Sequence, residues 1–72
     1  MKYREFTKKL KMLGCLELSN KRKGSHRNWI NPKAKTVAPI PVPDWGSKEL
    51  KSGTIRAVVK DLELDWEEFK KA

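Results

Sequence analysis

The sequence predicts a small α+β domain with the order α-β-β-β-α, in which a three-stranded antiparallel sheet carries both main helices on one face. Three patterns favour this fold class. Apolar residues recur at steps of three and four near the start and again late in the chain, they alternate with polar residues in between, and three closely spaced prolines follow. With 72 residues the chain has room for one small core, so we expect a single domain over residues 1–72.

The first helix is predicted between Lys2 and Leu13. Its apolar face is formed by Tyr3, Phe6, Leu10 and Leu13. Lysines occupy the other face, which is the pattern of an amphipathic helix packed on a core. Gly14 follows at the position where many helices close with a left-handed residue.

Three strands are predicted next. In the first, Leu16 and Leu18 alternate with Glu17 and Ser19, so the two leucines should form a buried face. The second strand is "SHRNWIN", residues 25–31. The third begins at Thr36 and contains Pro39, Pro41 and Pro43, which cannot donate ladder hydrogen bonds. It should therefore be short or lie at a sheet edge.

A second helix is expected from about Gly53. It is preceded by a loop that can include one helical turn, with Ser47 and Ser52 as candidate N-caps. Its apolar positions are Ile55, Val58, Val59 and Leu62. A short final helix should start at Asp65, which with Glu68 resembles a capping box, and should pack Trp66 and Phe69 on the body of the domain.

The composition indicates a polyanionic partner. Seventeen Lys and Arg against nine Asp and Glu give a formal net charge of +8. Residues 1–60 hold 15 of these cations and four acids, whereas residues 61–72 are net acidic. We therefore expect the sheet face not covered by helices to be lined with Lys and Arg, ready for a phosphate backbone.

Several classes of protein are disfavoured by what the sequence contains. It has no apolar run long enough to span a bilayer and no signal-peptide core, so we expect a cytosolic protein with no membrane contact. A single Cys and a single His give no metal-ligand spacing, and we expect neither a metal nor another cofactor. Cys15 should be a small buried apolar residue.

The stretch "KGSHRNWIN" contains the only histidine, His26. Side chains alternate across a strand, and burying the large ring of Trp29 would turn His26 outward and leave Arg27 to reach solvent at the sheet margin. The cations Lys21, Arg22 and Lys23 precede it. Histidine there could take a proton from a ribose 2′-hydroxyl or give one to a departing 5′-oxygen. An exposed polar residue in a solvated basic turn is the alternative.

Three segments resemble the HicA, or YcfA-like, family of mRNA interferase toxins. They are "KYREFTKKLKMLGC", "KGSHRNWINP" and "GSKELKSGTIRAVVKDLELDWEEF", which together cover nearly the whole chain. The resemblance implies a fold like a double-stranded RNA-binding domain, and a toxin that cleaves mRNA until a HicB antitoxin inhibits it. It also implies that the histidine of the Gly-Ser-His motif, here His26, is catalytic.

The predicted site follows from combining the resemblance with the basic segment. The substrate-binding candidates are Lys21, Arg22, Lys23, Gly24, Ser25 and Arg27. Many relatives have a second histidine where this chain has Trp45, so a lysine, a water or His26 itself must supply the other proton transfer. A non-catalytic RNA-binding module of the same fold, and an adaptor for an acidic protein, remain alternatives. The free toxin is expected to be monomeric.

Overall fold

The computed structural model describes residues 1–18, 26–44, 46 and 48–72, with residue 26 described by its main chain alone. The elements in chain order are α1 (Tyr3–Met12), β1 (Leu16–Glu17), β2 (His26–Ile30), β3 (Ile40–Pro43), α2 (Ser52–Asp61) and α3 (Trp66–Lys71). The predicted α-β-β-β-α order with a short final helix is confirmed.

The three strands form one antiparallel sheet in the order β1-β2-β3, so β2 is its central strand. In register, Leu16 of β1 lies opposite Ile30, and Ile40 of β3 lies opposite Trp29. The third strand is short and at an edge, as its prolines predict. It starts later than the predicted Thr36, because the main-chain N–H of Thr36 donates to the Glu63 carboxylate beyond α2 instead of pairing with β2.

Helix α1 ends as its sequence predicts. Gly14 has a φ of +94°, in the left-handed region that glycine adopts without strain. The main-chain N–H of Cys15 then donates to the carbonyl of Leu10 at 2.9 Å. This bond holds Cys15 next to the last turn of the helix, and Cys15 is 1% exposed.

The buried face predicted for β1 is wrong. Leu16 is 55% exposed, and Glu17, which lies opposite Trp29, shares the helix-covered face of the sheet. The reason is the sharp turn after α1, which buries Cys15 and so fixes the phase of the following residues. An alternating pattern gives the period of a strand but does not say which of its two faces is covered.

The core lies between this face of the sheet and the helices. Buried together are Trp29 and Val42 of the sheet, Phe6 and Leu10 of α1, Ile55, Val58 and Val59 of α2, and Phe69 of α3. Both main helices therefore pack on the same side of the sheet, as predicted. In α2 the predicted positions Ile55, Val58 and Val59 are buried; in α1 Phe6 and Leu10 are buried, whereas Tyr3 and Leu13 are only partly so and the buried Thr7 was not predicted.

In the second half of the chain, the structure differs from the prediction mainly at the N-caps of the helices. Lys51 is the N-cap of α2 and makes no side-chain capping bond, while Ser52 is already the first helical residue. Ser47 lies outside the described residues, and those described between 44 and 51 form no helical turn. Asp65 does cap α3, but its carboxylate accepts from the N–H of Glu67 at 2.8 Å rather than from Glu68.

The end of α2 is tied to the loop between β2 and β3. The buried side-chain amide of Asn31 donates to the carbonyl of Leu62 at 2.7 Å. Glu63 has a positive φ of 55°, and its carboxylate accepts from the main-chain N–H groups of Lys35 and Thr36. These bonds hold α2 against the sheet at the end of β2 remote from His26.

Candidate active site at the start of strand β2

His26 is the first residue of the central strand, and its Cα partner on β3 is Pro43. The outward direction predicted for its side chain concerns atoms outside the described part of the structure. The same holds for the other residues predicted to act with it, namely Lys21, Arg22, Lys23, Gly24, Ser25 and Trp45. What the structure does describe is the sheet whose central strand begins at His26.

The phase of β2 is fixed by Trp29, whose predicted inward position is confirmed. Its side chain is 1% exposed, and its indole N–H donates to the Tyr3 hydroxyl of α1 at 3.3 Å. The ammonium of Lys11 lies 6.0 Å from the ring centroid. The helix-covered face of β2 is therefore the face of Trp29, and alternation adds Arg27 to it.

Arg27 lies at the sheet margin, with a side chain that is 52% exposed. Its Nε donates to Asp44 Oδ2 at 3.0 Å and its Nη1 to Glu17 Oε2 at 3.4 Å. Hydrogen bonds to these carboxylates raise the pKa of the guanidinium further above its ordinary value. One cation with two carboxylates leaves this cluster with a net charge of −1, so in this arrangement it does not attract phosphate.

Tyr3 extends the cluster to the first helix. Its hydroxyl, which accepts from Trp29, lies 3.4 Å from Glu17 Oε2 and donates to it. A phenol is protonated at neutral pH and can donate to Glu17, and burial raises the pKa of Tyr3 further. Together these bonds connect α1, β1 and β2 with Asp44, the residue that follows β3.

The opposite face of the sheet does not have the predicted composition in its described part. Leu16 and Ile30 lie opposite one another there, and Asn28 lies opposite Pro41. The strand residues described on this face thus include no Lys or Arg, so the expected basic lining is wrong for them. The basic segment that precedes β2, residues 21–23, lies outside the described residues.

The match to a protein family decides the class of this protein. The family model described as the HicA toxin of bacterial toxin–antitoxin systems matches residues 3–64, most of the chain. The chain belongs to the HicA toxin family. Searches of curated proteins and of solved structures return no match.

The matched region of this HicA toxin includes the Gly-Ser-His motif and all the strands, whereas α3 begins at Trp66, beyond its end. Membership gives the chain the role of a toxin and implies an antitoxin as its partner. Among the described helices, none is long and apolar enough to cross a bilayer.

Cys15 is a core residue of the toxin, as predicted. It is almost fully buried, and burial raises the pKa of its thiol. A thiol that is both inaccessible and protonated is a poor nucleophile. In the described ranges of the chain, no three His, Cys, Asp or Glu side chains come together as metal ligands would.

Proposed function

We propose that this toxin is an endoribonuclease that cleaves mRNA without a metal ion, with His26 as its proton-transfer group. The observation that carries the proposal is the position of the only histidine of the chain. It stands in the Gly-Ser-His motif within the family match, begins the central strand, and directly follows a basic segment. Action on mRNA would place the toxin in the cytoplasm.

The fold supports an accessible position for this histidine. Because Trp29 lies on the helix-covered face, the two-residue period of a strand assigns position 26 to the opposite face. The helices pack on the other side of the sheet, so a long RNA chain could approach position 26 without displacing them. On the β3 side, the neighbour of position 26 is Pro43.

The chemistry needs one proton removed and one returned. An imidazole takes the proton from a ribose 2′-hydroxyl, whose oxygen attacks the adjacent phosphorus while the bond to the 5′-oxygen breaks. The departing 5′-oxygen takes up a proton, and the products end in a 2′,3′-cyclic phosphate and a 5′-hydroxyl. With one imidazole in the chain, the second transfer falls to a lysine, a water or the same imidazole in its protonated form.

Binding of the RNA is assigned to the segment before β2. Lys21, Arg22 and Lys23 would attract the phosphate backbone and stabilise negative charge developing on the phosphorus oxygens. Gly24 would let the main chain approach the substrate closely, and the Ser25 hydroxyl would donate to a phosphate oxygen. The net charge of +8 favours association with RNA over the whole surface.

A HicB-type antitoxin is the proposed inhibitor. An antitoxin that covers the basic segment should present carboxylates to it, so inhibitor and RNA would compete for one surface.

The direct test is incubation of the purified toxin with RNA in the presence of excess EDTA. We expect cleavage to continue, since imidazole chemistry needs no metal. Tight and salt-sensitive binding of intact RNA, with no product formed over hours, would instead identify a non-catalytic RNA-binding module.

Arg27 is the one predicted substrate-binding residue whose contacts the structure describes. Replacing Arg27 with glutamine should raise the KM for RNA several-fold, because it leaves Glu17 and Asp44 as two uncompensated carboxylates beside the site. Steady-state cleavage of a short RNA at low salt measures the effect. We expect kcat to change less than KM.

A triple variant shows how Arg27 acts. Adding Glu17→Gln and Asp44→Asn to Arg27→Gln removes the carboxylates as well, and we expect it to restore most of the RNA affinity. This expectation follows from the ion pairs, in which both described partners of the guanidinium are carboxylates. A triple variant that binds RNA as weakly as Arg27→Gln would show instead that the guanidinium itself contacts phosphate.

A further inference from the structure

Two surface cavities beside the helices share Arg56 and Trp66 in their linings. The larger, about 470 Å³, lies between α1, α2 and α3, and its lining includes Lys9, Ile55, Arg56, Trp66 and Phe69. The smaller, about 390 Å³, is lined by Arg56, Ala57, Val59, Lys60, Leu64 and Trp66. Since Arg56 and Trp66 line both, we treat the two cavities as one surface, the Trp66 groove.

The Trp66 groove has an apolar floor and a cationic rim. Ile55, Leu64 and Trp66 give it apolar surface, while Lys9, Arg56 and Lys60 stand around it. The ammonium of Lys9 donates to the main-chain carbonyls of Phe69 and Lys70 rather than to an acid. Within the described ranges, no carboxylate forms an ion pair with any of these three cations. The rim is thus complementary to a negatively charged partner.

The aromatic ring at the centre of the groove argues against RNA as that partner. The Phe69 ring stacks on Trp66 with centroids 5.4 Å apart, and the Arg56 guanidinium carbon lies 4.7 Å from the Trp66 centroid. A nucleobase seeking an aromatic platform would have to displace one of these two groups. Apolar side chains need no free ring face, so a peptide that combines them with carboxylates fits better.

The groove also includes a part of the chain that the family match does not cover. Its α2 wall lies within the matched residues 3–64, but α3, which carries Trp66 and Phe69, lies beyond them. The surface thus combines residues inside the matched region with three residues of α3 beyond its end, Trp66, Phe69 and Lys70. Such a surface is suited to distinguishing one antitoxin from another.

We propose that the Trp66 groove docks an acidic, apolar peptide segment of the antitoxin and helps to select the antitoxin that this toxin accepts. The segment's apolar side chains would fill the cavities, and its carboxylates would pair with Lys9, Arg56 and Lys60. The docking rests on the toxin–antitoxin class of the chain and does not require His26 to be catalytic. It is a second contact, on the helix side of the sheet.

The test measures the dissociation constant between full-length toxin and its cognate antitoxin. The double variant Arg56→Glu/Lys60→Glu reverses two charges of the rim. Its affinity for the antitoxin should fall by about tenfold or more, and that affinity should depend less on salt concentration than the affinity of the wild type. Lys8→Glu/Lys33→Glu makes the same change in net charge at exposed positions that line neither cavity, and it should bind nearly normally. RNA cleavage by the two free toxins should be equal, because the two variants carry the same net charge.

A second variant tests the groove by shape rather than charge. Ala57 is exposed and lines the smaller cavity, so Ala57→Trp should fill that cavity and weaken antitoxin binding while the fold is kept. Thermal unfolding confirms that each variant is folded.

Three results would overturn the proposal. One is normal antitoxin affinity in both groove variants. Another is loss of RNA binding with antitoxin affinity retained, which would make RNA the occupant. The third is a wild-type toxin that dimerises through the groove, so that Ala57→Trp abolishes the dimer but leaves antitoxin affinity unchanged. If the toxin proves not to cleave RNA, the docking proposal can still be tested, because antitoxin binding is measured without RNA.

Discussion

Replacing His26 with alanine is expected to reduce RNA cleavage by roughly 100-fold or more, the usual contribution of a positioned acid or base. It should also abolish growth arrest when the toxin is produced in cells. The substitution removes the only imidazole of the chain from the first residue of β2 and leaves the Trp29 core untouched. The thermal unfolding curve should therefore change little, and the affinity for intact RNA should remain measurable.

Chemical rescue separates proton transfer from a contact with substrate. Free imidazole added to His26→Ala can occupy the space of the lost side chain and should restore part of the cleavage rate. Restoration should increase with imidazole concentration, and Arg27→Gln, which keeps His26, should show none. Undiminished cleavage by His26→Ala would eliminate His26 as the catalytic group.

The largest expected effect on stability comes from replacing Trp29 with alanine. Trp29 is 1% exposed, contacts the core from the central strand, and donates to the Tyr3 hydroxyl. Large-to-small changes of a buried aromatic residue cost about 3–5 kcal/mol. Small single-core domains often have a total stability of only about 3–5 kcal/mol, so we expect Trp29→Ala to be largely unfolded at 25 °C. Circular dichroism and urea titration measure the loss.

Leu16→Ala is the matched control on the same sheet. Leu16 is an apolar strand residue on the uncovered face and is 55% exposed, so its truncation should cost less than about 0.5 kcal/mol. A loss comparable to that of Trp29→Ala would mean that the sheet is covered on the other side.

The two long helices could be predicted because their patterns are self-contained. A period of 3.6 residues identifies both a helix and its buried side, so Phe6, Leu10, Ile55 and Val59 were correctly expected in the core. The inward position of Trp29 could also be predicted, since no other residue of β2 offers as much apolar area. In each case the spacing or the size of the apolar side chains is enough to decide which residues are buried.

The first strand and the polar cluster could not be predicted in the same way. The alternation at Leu16 gives a period, but its phase depends on the Gly14 turn and on pairing with β2, which local pattern does not encode. Arg27 joins carboxylates 10 and 17 residues away, and such pairs become visible only when the register is known. The sequence does contain one signal. Arg27 lies two residues from the buried Trp29 and therefore on the same face of the strand, so its charge needs acidic partners at the edge of that face.

The chemical ends of the RNA fragments test the central claim most directly. Cleavage of a defined RNA by the toxin in excess EDTA should yield fragments ending in 2′,3′-cyclic phosphate and 5′-hydroxyl groups. A substrate carrying a 2′-deoxyribose at the cleaved position should resist, because it lacks the attacking oxygen. Fragments with 3′-hydroxyl and 5′-phosphate ends, or normal cleavage of the 2′-deoxy substrate, would contradict imidazole-driven attack by the 2′-hydroxyl.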